Sequence, residues 1–399
     1  MRIAHVTDAI DLSRGGVVRA VIDLAELMAA RGHEVAVLAF DTADAPEQWG
    51  APGSPAAIEL GPPAALGRFT ADQRAAVEQR IASCDVLHLH ALWHPFLHRA
   101  ARTARGHGKP YVLSVHGMLD DWSMAQRSLK KRLFLALGAR ETLRRAHRVH
   151  CTARAELEQA RGWFAPAEGV VIPLLFDLSP YRDLPGPELA RERFADQIDE
   201  RPAVLFLSRL HYKKGPDVFI RAIAELKSRG VSCQGLIAGS GESRYVDEMK
   251  NLTSSLGVGD DVRFLGMVSG ELKTSLYQLA DVFALPTSQE NFGFVFPEAL
   301  ACQTPVVTTR GVDTHPELEA TGGAIIAEPT PDAFADAISR LLSDPDTLTD
   351  MGERGRMRVF EWLDPDTLAR EYEDMYAKAA GSDAPSAAPA AIAETGAAS

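Results

Sequence analysis

Short apolar runs rich in β-branched residues alternate along the chain with longer segments of helical period. Residues 2–7 form the first such run, Val17 to Arg31 carries apolar positions at helical spacing and closes at Gly32, and Glu34 to Phe40 returns to a strand pattern. Strand, helix and strand in that order predict a βαβ unit and hence a parallel sheet. DVLHLH (85–90) and PYVLSV (110–115) add strands with a helix between them, and Arg127 to Arg148 reads as strongly helical and basic. The pattern restarts at AVLFLS (203–208), passes through a helix from Asp217 to Arg229, and continues as GLIAG, DVRFLG, DVFALP and TPVVTT, spaced by helices. Proline and glycine break the periodicity in IPLLFDLSPYRDLPGPE, which places the join between two doubly wound halves. The expected fold is therefore α/β, with one domain over 1–178, a second over 179–360 and a last helical segment over 361–377. From Gly381 the chain turns to Ala, Ser, Pro and Gly, and 378–399 is expected to be a disordered tail.

Composition narrows the function classes. At 399 residues, 46% hydrophobic and 24% charged, the chain is long enough for two cores. A formal net charge of −12 argues against nucleic acid as a general partner, because phosphate backbones need a basic surface. Cys84, Cys151, Cys233 and Cys302 are scattered without C-x-x-C spacing, which fits small core residues in a reducing compartment. The chain opens directly on a strand-like run, and no apolar run approaches the roughly 18 residues of a membrane span. A cytoplasmic protein is expected.

In doubly wound folds ligands meet the carboxyl ends of strands, and four clusters fall there. After the first strand comes DLSRGGVVRA, where Gly15 and Gly16 would let backbone approach a phosphate or sugar at a helix N-terminus, though a plain tight turn explains them as well. His116, followed by Gly117, ends YVLSV and would turn an imidazole toward the cleft, against the commoner outcome of a structural histidine. In SRLHYKKGPD, Arg209 and Lys214 flank a short loop and offer a forked donor and a point charge to a diphosphate, with Asp217 expected as a helix cap; the bland alternative is a solvated basic turn. The fourth cluster, SQENFGFVFPEAL, holds Glu290 and Glu298 eight positions apart, after an apolar strand and at the start of a helix. Eight helical steps separate two residues by about 12 Å and roughly 80°, which disfavours a glycosidase acid pair. One long ligand held at two points fits better, with backbone N–H groups between the glutamates forming an anion site; a capped surface helix with exposed acids is the alternative.

These clusters, in this order, resemble the retaining GT-B glycosyltransferases of family 4, over nearly the whole chain to about residue 377, most sharply in SRLHYKKGPDVFI and ENFGFVFPE. HLHALWHP and HGMLDDW are similar to the subset that builds bacterial exopolysaccharides and other surface glycans. The resemblance implies two Rossmann-like domains facing a cleft, with the last helix returning to the N-terminal domain. It implies that Arg209 and Lys214 hold the donor diphosphate, Glu290 the sugar hydroxyls, Glu298 the ribose hydroxyls, and the backbone of Phe292, Gly293 and Phe294 the distal phosphate, met by Gly16 from the other domain. His116 would touch the donor sugar near the reacting bond, and Gly15, Gly239 and Asn291 join the donor-binding set. The implied reaction moves a sugar from a nucleotide diphosphate sugar to a hydroxyl of a glycan or lipid-linked acceptor with retention of configuration. The linker departs from the pattern, reading IPLLFD where relatives commonly have IPNG, which leaves the hinge conformation open.

No cofactor and no metal are expected, since fixed cations can neutralise a leaving diphosphate. SDPDT and LDPDT match a D-x-D metal pattern, yet Asp followed by Pro at a helix start reads as an N-cap and an N1 proline. A nucleotide-sugar epimerase, an NAD-linked oxidoreductase and a non-catalytic sugar-nucleotide binder are the competing readings. GSGESR, beginning at Gly239, imitates a dinucleotide fingerprint but has Arg244 at the last glycine position. Finally, the run 126–148 holds eight Lys or Arg against Glu141 alone, with Leu129, Leu133, Leu137 and Leu143 among them at nearly helical spacing. It is a candidate for peripheral contact with an anionic membrane, against the plainer alternative of a core-packed helix with a solvated face.

Overall fold

The computed structural model describes residues 1–63 and 69–381. Two parallel sheets organise the chain. The first comprises β1 (Arg2–Val6), β2 (Glu34–Ala39), β3 (Ala56–Glu59), β4 (Val86–His90), β5 (Tyr111–Ser114), β6 (Arg148–Cys151) and β7 (Gly169–Val171), in the order β3-β2-β1-β4-β5-β6-β7. The second comprises β8 (Ala203–Leu207), β9 (Gln234–Ala238), β10 (Val262–Gly266), β11 (Val282–Ala284), β12 (Val306–Thr309) and β13 (Ala324–Ala327), in the order β10-β9-β8-β11-β12-β13. Both are Rossmann-like, and both reverse strand order beside their first strand, at β1/β4 and β8/β11, which is where such sheets open a crevice for ligands. Helices cover both faces, so the central strands read as continuous apolar runs; every residue of β8 is buried.

The strands absent from the sequence pattern share a physical cause. β3 is a half-buried edge strand of four residues, β7 has three, β6 carries Arg148 and His150 inside a basic stretch, and β13 is only partly buried. β3, β6 and β7 present too few consecutive apolar positions to stand out, and β13, although it reads AIIA, is an edge strand of only four residues. The two D-x-D strings are helix caps: Asp344 accepts from the Thr347 N–H at 3.1 Å, Asp364 from the Thr367 N–H at 2.8 Å, each with proline at the first helical position. Asp217 is not a cap. Gly215, with φ 68°, precedes helix Pro216–Ser228, and a Cβ there would stand 2.3 Å from the Pro286 carbonyl oxygen, so Asp217 falls in the first turn.

The run 126–148 is not one helix. It breaks into Ser128–Phe134, a wider-turned segment Leu135–Ala139 and Arg140–Arg144, because Gly138 takes φ 131°. Leu143 is buried in the core, which corrects its place in the exposed stripe, while Leu129, Leu133 and Leu137 are 83%, 61% and 75% exposed.

The last helix, Pro365–Ala379, packs on the first sheet and extends two residues into the stretch assigned to the tail. Glu373 pairs with Arg31 and His33, and Tyr372 and Tyr376 are fully buried. The tail beyond Gly381 lies outside the described residues. The linker is fixed on two sides: the Ile172 carbonyl is 2.7 Å from His150 Nε2, the Pro173 carbonyl accepts from the Tyr372 hydroxyl at 3.3 Å, and Phe176 stacks on Phe294 with centroids 5.5 Å apart.

Candidate functional site

The loops that follow β1, β5, β8 and β11 converge between the two sheets. Gly15 takes φ 97°, the conformation that lets the chain turn into helix Gly16–Ala30, and a Cβ on Gly16 would lie 3.7 Å from the Phe294 ring. The glycine pair thus brings a helix N-terminus against the 292–294 turn of the other half. That turn needs a glycine as well: Gly293 has φ 70°, and a Cβ would sit 2.6 Å from Phe296. Phe292 is buried beside Trp362, and its carbonyl accepts from the Thr314 hydroxyl at 3.0 Å. Helix Val295–Ala301 begins directly after, with Pro297 in its first turn and Glu298 behind it.

The charged residues lie on the second half. Lys214 donates to Glu290 in a close ion pair, and both side chains are largely shielded from solvent. Burial, then the cations Arg209 and Lys213, pushes the Lys214 ammonium down to about 8, while the carboxylate of Glu290 acts in the opposite direction. Arg209 is exposed at the mouth of the same loop. Glu290 is set by its own backbone, which donates to the Gly311 carbonyl at 2.8 Å and accepts from the Asp313 N–H at 2.9 Å. Glu298 is buried and held by Lys273 Nζ at 2.6 Å and the Tyr277 hydroxyl at 3.1 Å. Each glutamate therefore has a lysine partner, and the two stand at opposite ends of the glycine turn. Gly239 has a packing reason of its own, since a Cβ there would fall 2.0 Å from the Ser208 carbonyl oxygen.

The first half contributes a neutral imidazole and, behind it, the carboxyl groups of Glu156 and Asp120. His116 follows β5 with φ 48°, is 9% exposed, and is held neutral by burial and by His150, which lower its pKa to about 3. Gly117 beside it comes so close to the other half that a Cβ would stand 2.9 Å from the Asn291 Cβ. A polar seam then joins the halves. The Gly117 N–H donates to buried Glu156, which also accepts from Thr152; the Thr152 hydroxyl donates to Asn291 Oδ1 at 3.2 Å. Asn291 donates in turn to Asp313 at 3.1 Å, and Gln159 donates to the other Asp313 oxygen at 3.0 Å. Burial pushes the Asp313 carboxyl up to about 7, with Glu156 and Asp120 adding to the shift against the hydrogen bonds from Asn291 and Gln159. Further out, Gln289 donates to Asp120 at 3.0 Å, and Lys213 lies 3.5 Å over the Trp122 ring.

Sequence reasoning missed Lys273, Tyr277, Asp313, Glu156 and Gln159, because their partners are far away in the chain and nothing local marks them. Under the seam lies a set of buried histidines, His5, His88, His90 and His150, which alternation inside apolar strands could have flagged. Ring nitrogens of His5, His88 and His90 lie within 4.8 Å of one another, a spacing that would suit an ion. His88 already spends both nitrogens on Tyr376 and Ser114, at 2.7 Å each, and so keeps none for an ion.

Comparison with known proteins agrees with this arrangement. The family described as Glycosyl transferases group 1 matches residues 190–358, and Glycosyl transferase 4-like domain matches residues 15–174. A D-inositol 3-phosphate glycosyltransferase of Actinosynnema mirum is 30% identical over 87% of this chain and 89% of its own length. The chain is a member of the family 4 glycosyltransferases. Its kin include a D-inositol 3-phosphate glycosyltransferase of Kineococcus radiotolerans, 31% identical over 63% of each chain. A GDP-mannose-dependent mannosyltransferase of Mycolicibacterium smegmatis is 32% identical over 63% of this chain and 66% of its own. In fold, this transferase is similar to Anabaena HepE in complex with UDP, with a TM-score of 0.76 at 20% identity over 94% of this chain and 99% of that one. The lipopolysaccharide glycosyltransferase WaaG gives a TM-score of 0.67 at 18% identity over 94% and 99%. The GT-B architecture is thereby shown.

Proposed function

We propose that the chain transfers a sugar from a nucleotide diphosphate sugar to a hydroxyl of a glycan or lipid-linked acceptor, with retention of configuration, in the building of a surface polysaccharide. The observation that carries this reading is the Lys214–Glu290 pair at the end of β8 and β11, beside exposed Arg209 and the glycine turn. An incoming diphosphate competes for Lys214 and so frees Glu290 to accept hydroxyls of the donor sugar. Glu298, already oriented by Lys273 and Tyr277, takes the ribose hydroxyls. The Phe292–Phe294 backbone and the helix start at Gly16 take the distal phosphate. As the diphosphate leaves, Arg209, Lys214 and these N–H groups stabilise its charge, and the acceptor hydroxyl attacks from the same face. No metal is needed for that work. HepE, which is similar in fold, was solved with UDP and with UDP-glucose, and the mycolicibacterial relative is named for GDP-mannose.

The acceptor side belongs against the inner face of an anionic membrane, with the chain otherwise cytoplasmic. Exposed Leu129, Leu133 and Leu137 stand among exposed Arg127, Lys130 and Arg132, and each surface cation near such a membrane contributes about 1 kcal/mol. Lys131 is engaged otherwise, donating to Ser123 and lying 5.1 Å over Trp93. Among the described residues, no helix is long and apolar enough to cross a membrane.

The test is a melting-temperature screen with UDP-, GDP- and ADP-sugars in EDTA, followed by an acceptor assay on the stabilising donor, reading nucleoside diphosphate release and the anomeric configuration of the product. Stoichiometric release with retention is expected. Inversion, or turnover only after magnesium is restored, would overturn the mechanism.

A further inference from the structure

Five buried histidines share the core face of the first sheet, and their hydrogen bonds form two separate chains. One runs from the Tyr376 hydroxyl through His88, Ser114 and His150 to the Ile172 carbonyl, so it ends on acceptors and donors that satisfy every ring nitrogen in it. The other is bare at both ends. His5 Nδ1 meets His90 Nε2 at 2.9 Å, and His90 Nδ1 meets His116 Nε2 at 3.3 Å, while His5 Nε2 and His116 Nδ1 are buried without a partner.

Proton counting restricts this second chain to two states. Burial holds all three rings neutral, with His5 and His116 lowered to about 3 and His90 lowered well below the usual range. Three neutral imidazoles carry three N–H groups. The two internal hydrogen bonds use two of them, and the third must sit on one of the two open ends. If it sits on His5 Nε2, an N–H is orphaned in the middle of the core, where such groups are rarest. If it sits on His116 Nδ1, His5 keeps only a bare nitrogen, and the N–H, though it too has no partner within the chain, belongs to the less enclosed of the two rings, 9% exposed against 0% for His5, in the residue before the interdomain contact of Gly117 with Asn291.

We propose that His5 and His90 are positioning residues that hold His116 in its Nδ1–H tautomer, so that His116 meets its ligand as a hydrogen-bond donor and never as a proton acceptor. The role suits a ligand whose hydroxyl and phosphate oxygens all accept, and it rests on the reading of the cleft as a donor-sugar site. It also removes His116 as a general base: with Nε2 occupied by the His90 N–H and Nδ1 protonated, neither ring nitrogen of His116 keeps a free lone pair. The acceptor proton must go elsewhere, which agrees with departure of a diphosphate oxygen on the same face.

Nitrogen-15 spectroscopy of the full chain labelled at histidine reads the tautomer directly, with the His116 signals identified by their loss in His116→Gln. Ligand-free protein should show a protonated Nδ1 and a bare Nε2 at His116. His90→Asn, whose side-chain amide can still donate where Nδ1 stood, should keep that state; His90→Phe should lose it and lower turnover roughly tenfold, the weight of one hydrogen bond, without changing nucleoside diphosphate affinity. Protonation of His116 at Nε2 in the unaltered chain would overturn the proposal, as would an unchanged tautomer in His90→Phe. Because the tautomer is read without substrate, it decides this inference separately from the donor assignment.

Discussion

The two halves of this glycosyltransferase share a sheet topology and differ in how they hold polar groups. Where the second sheet reaches the cleft, charges are kept in pairs, Lys214 with Glu290 and Lys273 with Glu298. The first sheet presents neutral imidazoles and hydroxyls, linked into chains and tied to the linker and the last helix. An ion pair partly shielded from water is a store of two ligands at once, since an anion that takes the lysine releases the carboxylate. A neutral chain cannot be exchanged in that way; it fixes geometry and resists charging. Under the proposed function the charged half would be the one that changes partners during turnover, and the neutral half would hold its geometry.

The largest effect is expected where the two glutamates are neutralised one at a time. Glu290→Gln keeps the size of the side chain and loses the charge proposed to serve the sugar, so turnover should fall by roughly 10²-fold with nucleoside diphosphate affinity retained. Glu298→Gln should instead weaken nucleoside diphosphate binding by roughly tenfold, measured by calorimetry. If both variants lose the same quantity, the division between the ends of the glycine turn is wrong.

A smaller effect tests the neutral half. Tyr376→Phe removes the hydroxyl 2.7 Å from His88 and should cost about 1 kcal/mol of stability, seen as a melting temperature lower by a few degrees, with donor affinity unaltered. A change in donor affinity larger than the change in stability would show that the frame takes part in binding.

A pH-dependent effect belongs to the seam. Asp313, raised to about 7 by burial, binds a proton in the folded state that an unfolded aspartate releases near 4. Its contribution to stability is thus complete below about pH 4 and is lost as pH rises through 7. The buried histidines act with the opposite sign over part of that window, so the informative quantity is the difference between the unaltered chain and Asp313→Asn. That difference should decline from pH 4 to 7 and be flat above; a flat difference throughout would place no proton on Asp313.

Much of this was legible in the sequence, for physical reasons that particular residues illustrate. β8 is buried on both faces, so AVLFL stands out as an unbroken apolar run, and the glycines and cations after the strands mark turns whose backbone demands are local. The E-x7-E segment is read from one stretch because a single turn places both glutamates. By contrast, Asp313 is buried against Gln159, more than one hundred and fifty positions earlier, and Glu156 against the N–H of Gly117. The basic run shows the other limit. Its leucines keep helical spacing through Leu143, yet the kink at Gly138 turns Leu143 into the core and leaves three others outside. Periodicity reports a helix and says nothing of a break that one glycine introduces.

Under the proposed function a donor diphosphate replaces Glu290 as the partner of Lys214. Calorimetric titration of UDP, GDP and ADP into the unaltered chain and into Lys214→Ala, both in EDTA, tests it most directly. One of the three nucleotides should bind the unaltered chain without a divalent ion, and Lys214→Ala should bind it at least roughly tenfold more weakly, the loss of one charge-assisted hydrogen bond. Equal affinity in the two proteins, or binding only when magnesium is supplied, would contradict it.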